Sequence, residues 1–473
     1  MDFNLLLILP DIENQNILIT KTHSKYQLPV YDKPIDINIG FDEPQLYNDF
    51  FRDLTGISVF RRYSFNTDNY VVFVFEQTGK LNAVPTNEYS WISYREFLYK
   101  ESSDRQQAIE NQAIKNQTID NQTIEIKNIL RAVSCHYNKS VNMPWVSESG
   151  FSPYFIWLYE ICSAKNIHIN GEITQVKNAY VSSVFCIPTD TGNLYMKIPG
   201  KISITELPFN CELRKFGLIN FPVWVDFNLE MNVFLMKDMT GIDLPPQSNI
   251  DTLKKVIIQL ARTQKESIPY LPLNCKHYDY RLGTLIKNLN DFPKQAYDIL
   301  LGTQYRITYE EKEKLEKSTK RAIELLHFVK NKPIPDVIQN GDVRPGNIRV
   351  VGDKYNFYDW AWGAVSHPFI EVTTFLHIIR RSLPENIPAK EIIIDAYLSE
   401  WLEYGTYDEL KRVFTILDDL KELFMAYADY LWVEDIYSAY DGPIEVMSAD
   451  GWLLERRNYY FGVVLRRFFE KSF

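Results

Sequence analysis

The sequence predicts an α+β protein in which two strand-rich parts precede a long helical part. Short apolar segments with turn residues between them occupy residues 1–101 and 172–240, as is typical of β-strands. Residues 241–473 instead place apolar residues at helical spacing. The 473 residues exceed what one hydrophobic core usually serves, so several domains are expected. The predicted helices cover residues 249–267, 280–290, 308–330, 368–383, 390–404, 407–428 and 451–469.

A small sheet is predicted near the start of the second strand-rich part. Its segments are apolar and are separated by polar turns. Lys197 lies on the last of these strands, with an apolar residue on each side. The commoner alternative for such a residue is a lysine that faces solvent. The predicted strands cover residues 172–177, 181–187 and 194–198.

Two acidic residues and a further apolar strand follow this sheet. The acids are Glu206 and Glu212, for which a solvated glutamate is the ordinary interpretation. The strand runs through residues 233–236 and ends in a turn at Lys237 and Asp238. An ordinary strand end would look the same in sequence.

The most informative segment is Asn-Gly-Asp-Val-Arg-Pro-Gly-Asn at residues 340–347, with Tyr-Asp-Trp at 358–360. A short apolar strand runs into the glycine, which permits a tight turn, so Asp342 is expected at the start of a loop. A predicted two-strand hairpin after Asn347 would return Asp359 to its neighbourhood. Two carboxylates and an amide suit phosphoryl transfer, in which the protein positions groups around Mg²⁺. An isolated aspartate beside glycine is otherwise usually a turn residue.

This segment resembles the catalytic core of the aminoglycoside phosphotransferase and choline kinase family. The family pattern is H-G-D-x-x-P-x-N, followed by a strand and I-D-W, and the resemblance covers about residues 172–440. It implies a two-lobed, protein-kinase-like fold. It also implies an enzyme that uses ATP or GTP and Mg²⁺ to phosphorylate a hydroxyl of a small molecule.

The resemblance implies a role for each residue that matches the family pattern. Asp342 is the expected catalytic residue, which orients the acceptor hydroxyl as a base. Asn347 and Asp359 are the expected Mg²⁺ ligands. Lys197 would contact the donor phosphates, held by Glu206 or Glu212. Glu212 fits this role better, because residues 211–216 resemble the helix between the third and fourth strands of the family. The strand end near residue 237 would meet the nucleotide base. The expected nucleotide-binding residues are Lys197, Glu212, Lys237 and Asp238.

Three departures from the family pattern are visible. Asn340 stands where the family has His, and Glu371 stands where it has Asp, although neither position supplies the base or a metal ligand in the family. The loop at 177–181 lacks the glycines that would let a backbone approach phosphates closely. Ser182 and Ser183 are then candidate hydroxyl donors to the phosphates.

The first hundred residues carry a second resemblance. A strand pair, a helix at 45–54, strands at 58–65 and 70–76 and a late tryptophan follow one another in an order similar to a Nudix domain. Only one acidic residue, Asp53, falls where a Nudix box has clustered acids. We therefore predict a Nudix-like fold over residues 1–101 that does not hydrolyse pyrophosphates. The alternative is an unrelated small α/β domain that docks on the kinase or recognises substrate.

Residues 102–135 are predicted to be a linker. Four successive five-residue units begin at Gln107, each with an isoleucine in its third position. Five residues advance a helix by roughly 500°, so these isoleucines would spiral around its axis and form no apolar stripe. The remaining predicted boundaries place a small lobe at 136–240 and a helical lobe at 241–473.

Composition excludes several other classes of protein. The formal charge of −10 argues against a nucleic-acid partner and is compatible with a cationic substrate. The 5 cysteines show no C-x-x-C spacing, which argues against both a disulfide framework and a zinc site. No apolar run reaches the roughly 18 residues that span a bilayer, and the acidic start is unlike a signal peptide. We expect a cytoplasmic protein without a membrane partner.

The acceptor is left open by the sequence. Helices after residue 368 carry acids and aromatic residues that could hold a polyamine or amino sugar, but solvated helix faces are an equally good reading. An aminoglycoside or other antibiotic, choline, ethanolamine, a sugar and a nucleoside all fit. The alternative class is a regulatory pseudokinase or a protein-directed kinase, with residues 1–101 as a sensor or docking module.

Overall fold

The computed structural model describes most of the chain after residue 142 and selected strands before it. Cα packing divides the chain into one unit of Met1–Lys201 with Ala439–Leu453 and a second of Ile202–Ser438 with Leu454–Phe473. The predicted linker at 102–135 lies outside the described residues, as does the predicted helix at 45–54 apart from Asp49 and Arg52. The described residues are 4–8, 10–11, 16–22, 25–27, 30–31, 49, 52, 59–66, 70–77, 89–93, 143–146, 150–179, 181–219, 221–275, 277–380, 383, 388–438 and 449–471.

The first unit begins with two small sheets. In one sheet the strand order is β5–β1–β7–β6, with β1 parallel to β7 and β6 at the edge. In the other, β3 is flanked by β2, β4 and β8. The strands predicted at 58–65 and 70–76 are confirmed, while the Nudix-like fold stays a prediction. The strands are β1 (Asn4–Ile8), β2 (Pro10–Asp11), β3 (Asn16–Thr22), β4 (Lys25–Gln27), β5 (Val30–Tyr31), β6 (Val59–Asn66), β7 (Tyr70–Gln77) and β8 (Tyr89–Ser93).

The same unit contains the antiparallel strands that were predicted around Lys197. In the register of β10 and β11, Val184 lies opposite Lys197 and Phe185 lies opposite Met196. A helix before the strands, α1, was not predicted, because its nearly continuous apolar sequence shows no periodic stripe. It buries Tyr154, Trp157, Leu158 and Cys162. The elements are α1 (Ser152–Ala164), β9 (Thr174–Ala179), β10 (Ser182–Ile187) and β11 (Leu194–Pro199).

The second unit opens with a helix, α2, and a hairpin, and then distributes short strands among helices. Two three-stranded sheets form, in the orders β14–β17–β18 and β15–β19–β16. Both strands of the hairpin predicted after Asn347 are present, paired with Ile348 opposite Phe357. The elements are α2 (Glu206–Lys215), β12 (Trp224–Asn228), β13 (Val233–Lys237), β14 (Ile242–Asp243), β15 (Tyr278–Tyr280), β16 (Val337–Gln339), β17 (Ile348–Val351), β18 (Lys354–Phe357) and β19 (Ala364–Ser366).

Helices form the bulk of the second unit, and their mixture with the sheets confirms the α+β class. The predicted helix at 368–383 ends at Ile379, and α5 was not predicted. Among the described residues, no helix combines the length and apolar composition that crossing a bilayer requires. The helices are α3 (Ile250–Ser267), α4 (Leu282–Leu289), α5 (Phe292–Leu301), α6 (Tyr309–Lys330), α7 (Pro368–Ile379), α8 (Ala389–Ser399), α9 (Tyr407–Asp419), α10 (Lys421–Ser438) and α11 (Ala449–Phe469).

The prediction of a single helix over 407–428 is wrong. The chain forms α9 and α10 instead, with Leu420 between them. Lys421 donates from its Nζ to the carbonyl of Asp418 at 2.9 Å, which satisfies a carbonyl at the end of α9. The turn keeps Leu417, Leu420 and Leu423 fully buried. Burial of these leucines outweighs the continuous helical spacing in the sequence.

Candidate active site

The loop after β16 adopts the tight turn that the sequence predicted. Gly341 has φ +83°, and a Cβ there would lie 2.2 Å from the carbonyl oxygen of Trp362. Only glycine fits, because the conformation is left-handed and the space is filled by backbone. Asn340 accepts the N–H of Asp342 at its Oδ1 at 3.1 Å. Asp342 therefore stands at the start of the loop, partly buried.

Asn347 is hydrogen bonded directly to Asp342. Its Nδ2 donates both to the carbonyl oxygen and to Oδ2 of Asp342, each at 2.9 Å. Asn347 is 4% exposed and ends a 3₁₀ turn that begins at Pro345. Because the amide nitrogen is used as a donor, Oδ1 is the side-chain atom that can ligate a metal.

The hairpin returns Asp359 to the same place, as the sequence predicted. The backbone N–H of Tyr358 donates to the carbonyl of Asn347 at 3.1 Å, directly before Asp359. Asp359 has φ +58°, a left-handed conformation that is uncommon for a residue with a side chain. Such strain persists where the surrounding structure demands it and is frequent at functional sites. The structure thus brings together Asp342, Asn347 and Asp359.

The electrostatics of the group are those of closely spaced acids. Burial raises the pKa of Asp342, and the negative charge of Asp359 raises it further. Arg344, whose Nε lies 3.2 Å from Oδ2 of Asp342, acts in the opposite direction on this pKa, as do Asn347 and Arg457. No group of three or more His, Cys, Asp or Glu side chains in the described part of the chain has a metal-binding arrangement. The candidate Mg²⁺ ligands are instead one amide and one carboxylate.

Glu371 is hydrogen bonded to the backbone of the loop that carries Asp342. It lies in the first turn of α7, is 4% exposed, and accepts the N–H of Gly341 at Oε1 at 2.9 Å. Its Oε2 accepts from Nε2 of Gln264 at 3.0 Å, and Gln264 in turn accepts the hydroxyl of Tyr397 at 2.7 Å. Burial raises the pKa of Glu371 to about 7. Glu371 is therefore a structural support of the loop backbone.

Asn340, the other departure from the family pattern, joins the loop to the hairpin. Its Nδ2 donates to the carbonyl of Tyr358 at 3.1 Å, while its Oδ1 accepts from Asp342. The side chain is 1% exposed. One asparagine thus fixes the spacing between the loop that carries Asp342 and the strand end that carries Asp359.

The predicted nucleotide-binding residues are divided between the two units. Lys197, in the first unit, is 8% exposed on β11. Glu212, on α2 in the second unit, lies 3.9 Å from Lys215, and its Oε1 is buried without a hydrogen-bond partner among the described residues. Lys237 and Asp238 are exposed at the end of β13. Their roles remain predictions.

Helix α2 packs against the segment that directly follows Asp359. Phe209, 1% exposed, fills the space beside Gly363, and its ring lies 6.3 Å from that of Trp360. Glu206, 2% exposed, is more deeply buried on this helix than Glu212. Ser182 and Ser183 are both buried, at 1% and 0% exposure. Oγ of Ser183 accepts from Nε2 of Gln175 at 3.2 Å, whereas Oγ of Ser182 has no hydrogen-bond partner among the described residues.

Arg457 is a neighbour of the site that the sequence analysis missed. Its Cζ lies 3.2 Å from the ring centroid of Trp432, and its Nη1 lies 3.0 Å from Asp429. Its positive charge lowers the pKa of the Asp342 carboxyl. Burial raises the pKa of Asp429 to about 6. The spacing of Asp429 and Trp432, one helical turn apart, was the available sequence signal.

Comparisons with known proteins give only distant likenesses. No protein-family model and no curated protein matches the sequence. The structure is similar to a choline/ethanolamine kinase family protein from Mesorhizobium loti, with 13% identity and a TM-score of 0.40 over 63% of this chain and 94% of that chain. A type I macrolide 2′-phosphotransferase has 11% identity and a TM-score of 0.43, over 62% of this chain and 97% of that chain. Choline kinase LicA from Streptococcus pneumoniae has 13% identity and a TM-score of 0.40, over 66% of this chain and 99% of that chain.

These values assign neither an activity nor a substrate to this chain. Each of the three structures shares only 11–13% identity with it, and each TM-score lies below 0.5. The function is therefore inferred from the chemistry of the loop, its hairpin and their surroundings.

Proposed function

We propose that this protein is a phosphotransferase that moves the γ-phosphate of ATP or GTP, with Mg²⁺, to a hydroxyl of a small molecule. The observation that supports this proposal is the bond from Asn347 Nδ2 to Asp342 Oδ2 at 2.9 Å, with Asp359 beside it. A carboxylate that can take a proton thus stands next to an amide oxygen and a second carboxylate. Phosphoryl transfer requires these groups around the acceptor hydroxyl and the metal ion.

Asp342 acts on the acceptor in this proposal. Its carboxylate accepts the hydroxyl proton while the hydroxyl oxygen bonds to the γ-phosphorus. The bond from that phosphorus to the bridging oxygen breaks, and the nucleoside diphosphate leaves. Bound Mg²⁺ would neutralise charge on the phosphates. Oδ1 of Asn347 and the carboxylate of Asp359 would hold the ion, since Mg²⁺ prefers oxygen ligands.

The donor side of the proposal depends on Lys197. Its strand position and low exposure suit a lysine that contacts donor phosphates, with Glu212 as its proposed acidic partner. Lys237 and Asp238 are proposed to lie near the nucleotide base, at the end of an apolar strand that buries residues 233–236. The choice between ATP and GTP is left to experiment.

A cationic acceptor receives less support from the structure than from the composition. Several acids of α9 and α10 already have partners, since Asp418 contacts Lys390 at 2.6 Å and Asp435 accepts from Tyr278 at 2.9 Å. Asp429 is paired with Arg457, and Glu422 with Lys471. A cationic acceptor therefore stays a prediction, and the proposal requires only a hydroxyl.

The decisive experiment is a substrate panel with labelled Mg-ATP and Mg-GTP. The panel contains amino alcohols, aminoglycosides, macrolides, sugars and nucleosides. We expect transfer to one class, and a fall in turnover of about 10²–10⁴-fold in Asp342→Asn. The matched control is Asp353→Asn, an exposed aspartate at the turn of the same hairpin, which should keep full activity. Nucleotide binding with no transfer to any acceptor, or labelling of a protein instead, would favour the regulatory or protein-directed alternative.

A further inference from the structure

Two edge strands of the first unit meet without forming a ladder. β6 is the outer strand of the sheet β5–β1–β7–β6, and β9 is the outer strand of the sheet that contains β10 and β11. An edge strand presents unpaired N–H and C=O groups, which must be covered when they are buried. Arg61 of β6 is 3% exposed, so its backbone groups need partners at this edge.

Side-chain amides of β9 supply those partners. The N–H of Arg61 donates to Oε1 of Gln175 at 2.8 Å, and Nε2 of Gln175 donates back to the carbonyl of Arg61 at 2.9 Å. The Gln175 amide thus makes the pair of bonds that a neighbouring peptide would make. The Arg61 carbonyl also accepts from Nδ2 of Asn178 at 2.5 Å, and Nη2 of Arg61 donates to the carbonyl of Asn178 at 2.6 Å.

Aromatic packing surrounds these hydrogen bonds. The ring of Phe60, one residue before Arg61, lies 4.9 Å from Phe185 of β10 and 5.4 Å from Phe155 of α1. Phe151 completes the group, with its ring 4.9 Å from that of Phe185. Phe151 and Phe185 are fully buried and Phe60 is 6% exposed. Without residues 59–61, a large apolar surface on α1 and β10 would face water.

We propose that residues 1–101 are a permanent part of the nucleotide-binding lobe, docked through β6 onto β9 and β10, and are not an independent module on a tether. Phe185 is next to Val184, which lies opposite Lys197 in the β10–β11 register. The docked domain therefore braces the strand beside the lysine. Gln175 is a positioning residue in this arrangement. The part that concerns nucleotide rests on the proposed function.

The docking is tested by cutting the predicted linker in the full chain. A protease site replaces residues 117–121, the folded protein is cleaved, and the pieces are run on size exclusion. We expect the two pieces to elute together. Separation of the unsubstituted pieces under native conditions would overturn the proposal.

Two variants test whether the docking depends on the buried side-chain amide of Gln175. Gln175→Met removes both hydrogen bonds to Arg61 with little change in volume, and Gln175→Glu loses the donor and buries a charge. In either variant the cleaved pieces should separate. Arg52→Ala is the control. Arg52 and Glu172 form an exposed ion pair at 3.2 Å, which also joins residues 1–101 to the segment before β9. If the cleaved pieces of Gln175→Met co-elute as completely as those of Arg52→Ala, the docking does not depend on Gln175.

The brace on the Lys197 strand is tested by nucleotide binding in the uncut protein. We expect Gln175→Met to bind Mg-ATP or Mg-GTP about tenfold more weakly or worse, and Arg52→Ala to bind it unchanged. Unchanged nucleotide affinity in Gln175→Met would show that the docked domain does not support the Lys197 strand. If the unsubstituted protein binds neither nucleotide, the proposed function fails, while the co-elution test still decides the docking.

Discussion

The carboxylate of Glu371 accepts the backbone N–H of Gly341 at 2.9 Å, so a buried acid on α7 holds the turn that precedes Asp342. The two residues are 30 positions apart in the chain. A second oxygen of the same carboxylate is bonded to Gln264 of α3. One side chain thus ties the loop to two helices of the core, and its protonation becomes part of the stability of the site.

We expect the stability of the protein to depend on pH through Glu371. Burial raises its pKa from 4.5 in the unfolded chain to about 7 in the folded protein. The folded state then binds more protons between these values, so the free energy of unfolding falls as pH rises from about 4.5 to about 7 and levels off above. The slope should approach about 1.4 kcal/mol per pH unit at most.

Urea unfolding of the wild type and Glu371→Gln at pH 5 and pH 8 measures this term. Glutamine cannot ionise, so the fall between the two pH values should be smaller in the variant. Equal falls in both proteins would show that Glu371 does not carry the dependence. Comparing the two proteins removes the contribution of other titrating groups.

Gly341→Ala should be strongly destabilising. The new Cβ would lie 2.2 Å from a backbone oxygen and 2.8 Å from the Cβ of Trp362, neither of which can move cheaply. We expect a loss of more than about 2 kcal/mol in the free energy of unfolding, since strain and overpacking add. Gly352→Ala is the matched control, with φ +59° but no atom of the described residues within 4 Å of the place that its new methyl group would take. Its cost should be about 1 kcal/mol from backbone conformation alone.

Asn347→Asp should impair metal-dependent nucleotide binding. The substitution replaces a donor to Asp342 with a second carboxylate at the same 2.9 Å separation, so two negative charges repel each other. We expect weaker binding of Mg-nucleotide and a higher Mg²⁺ concentration at half saturation. Titration with Mg²⁺ in the presence of a fluorescent nucleotide measures both. Asn356→Asp, in the same hairpin, loses a long 3.4 Å bond to the Arg349 carbonyl and should titrate like the wild type.

Arg457→Ala should destabilise the protein more at pH 8 than at pH 5. Burial already raises the pKa of Asp429 to about 6, and loss of the guanidinium would raise it further. At pH 8 the unfolded chain ionises this acid freely, while the folded chain must bury the charge or keep the proton. At pH 5 the folded protein can keep the proton at little cost.

Restoration by a second substitution separates charge from packing at this position. Asp429→Asn combined with Arg457→Ala should recover the part of the loss that depends on pH, and it should leave the loss of contact with Trp432. The expected coupling is about 1–3 kcal/mol at pH 8. Additive losses at both pH values would mean that Arg457 acts through its stacking on Trp432 alone.

The sequence by itself determined the local part of the candidate site. The glycine turn, the five-residue step from Asp342 to Asn347 and the hairpin that returns to Asp359 all lie within about twenty residues. Turn chemistry and strand alternation act over that distance, so pattern reasoning could find them. The start of α6 was readable for the same reason, because Thr308 and Glu311 form a capping box.

Only the tertiary structure decided which distant groups support those residues. Gln175 covers the backbone of Arg61 across 114 positions, and the charge of Arg457, on α11, lowers the pKa of Asp342 in its loop. Leu420 breaks a continuous helical pattern because its burial is worth more than the propensity of the chain around it. Such contacts depend on which surfaces pack together, and a pattern confined to one segment carries no information about its partner.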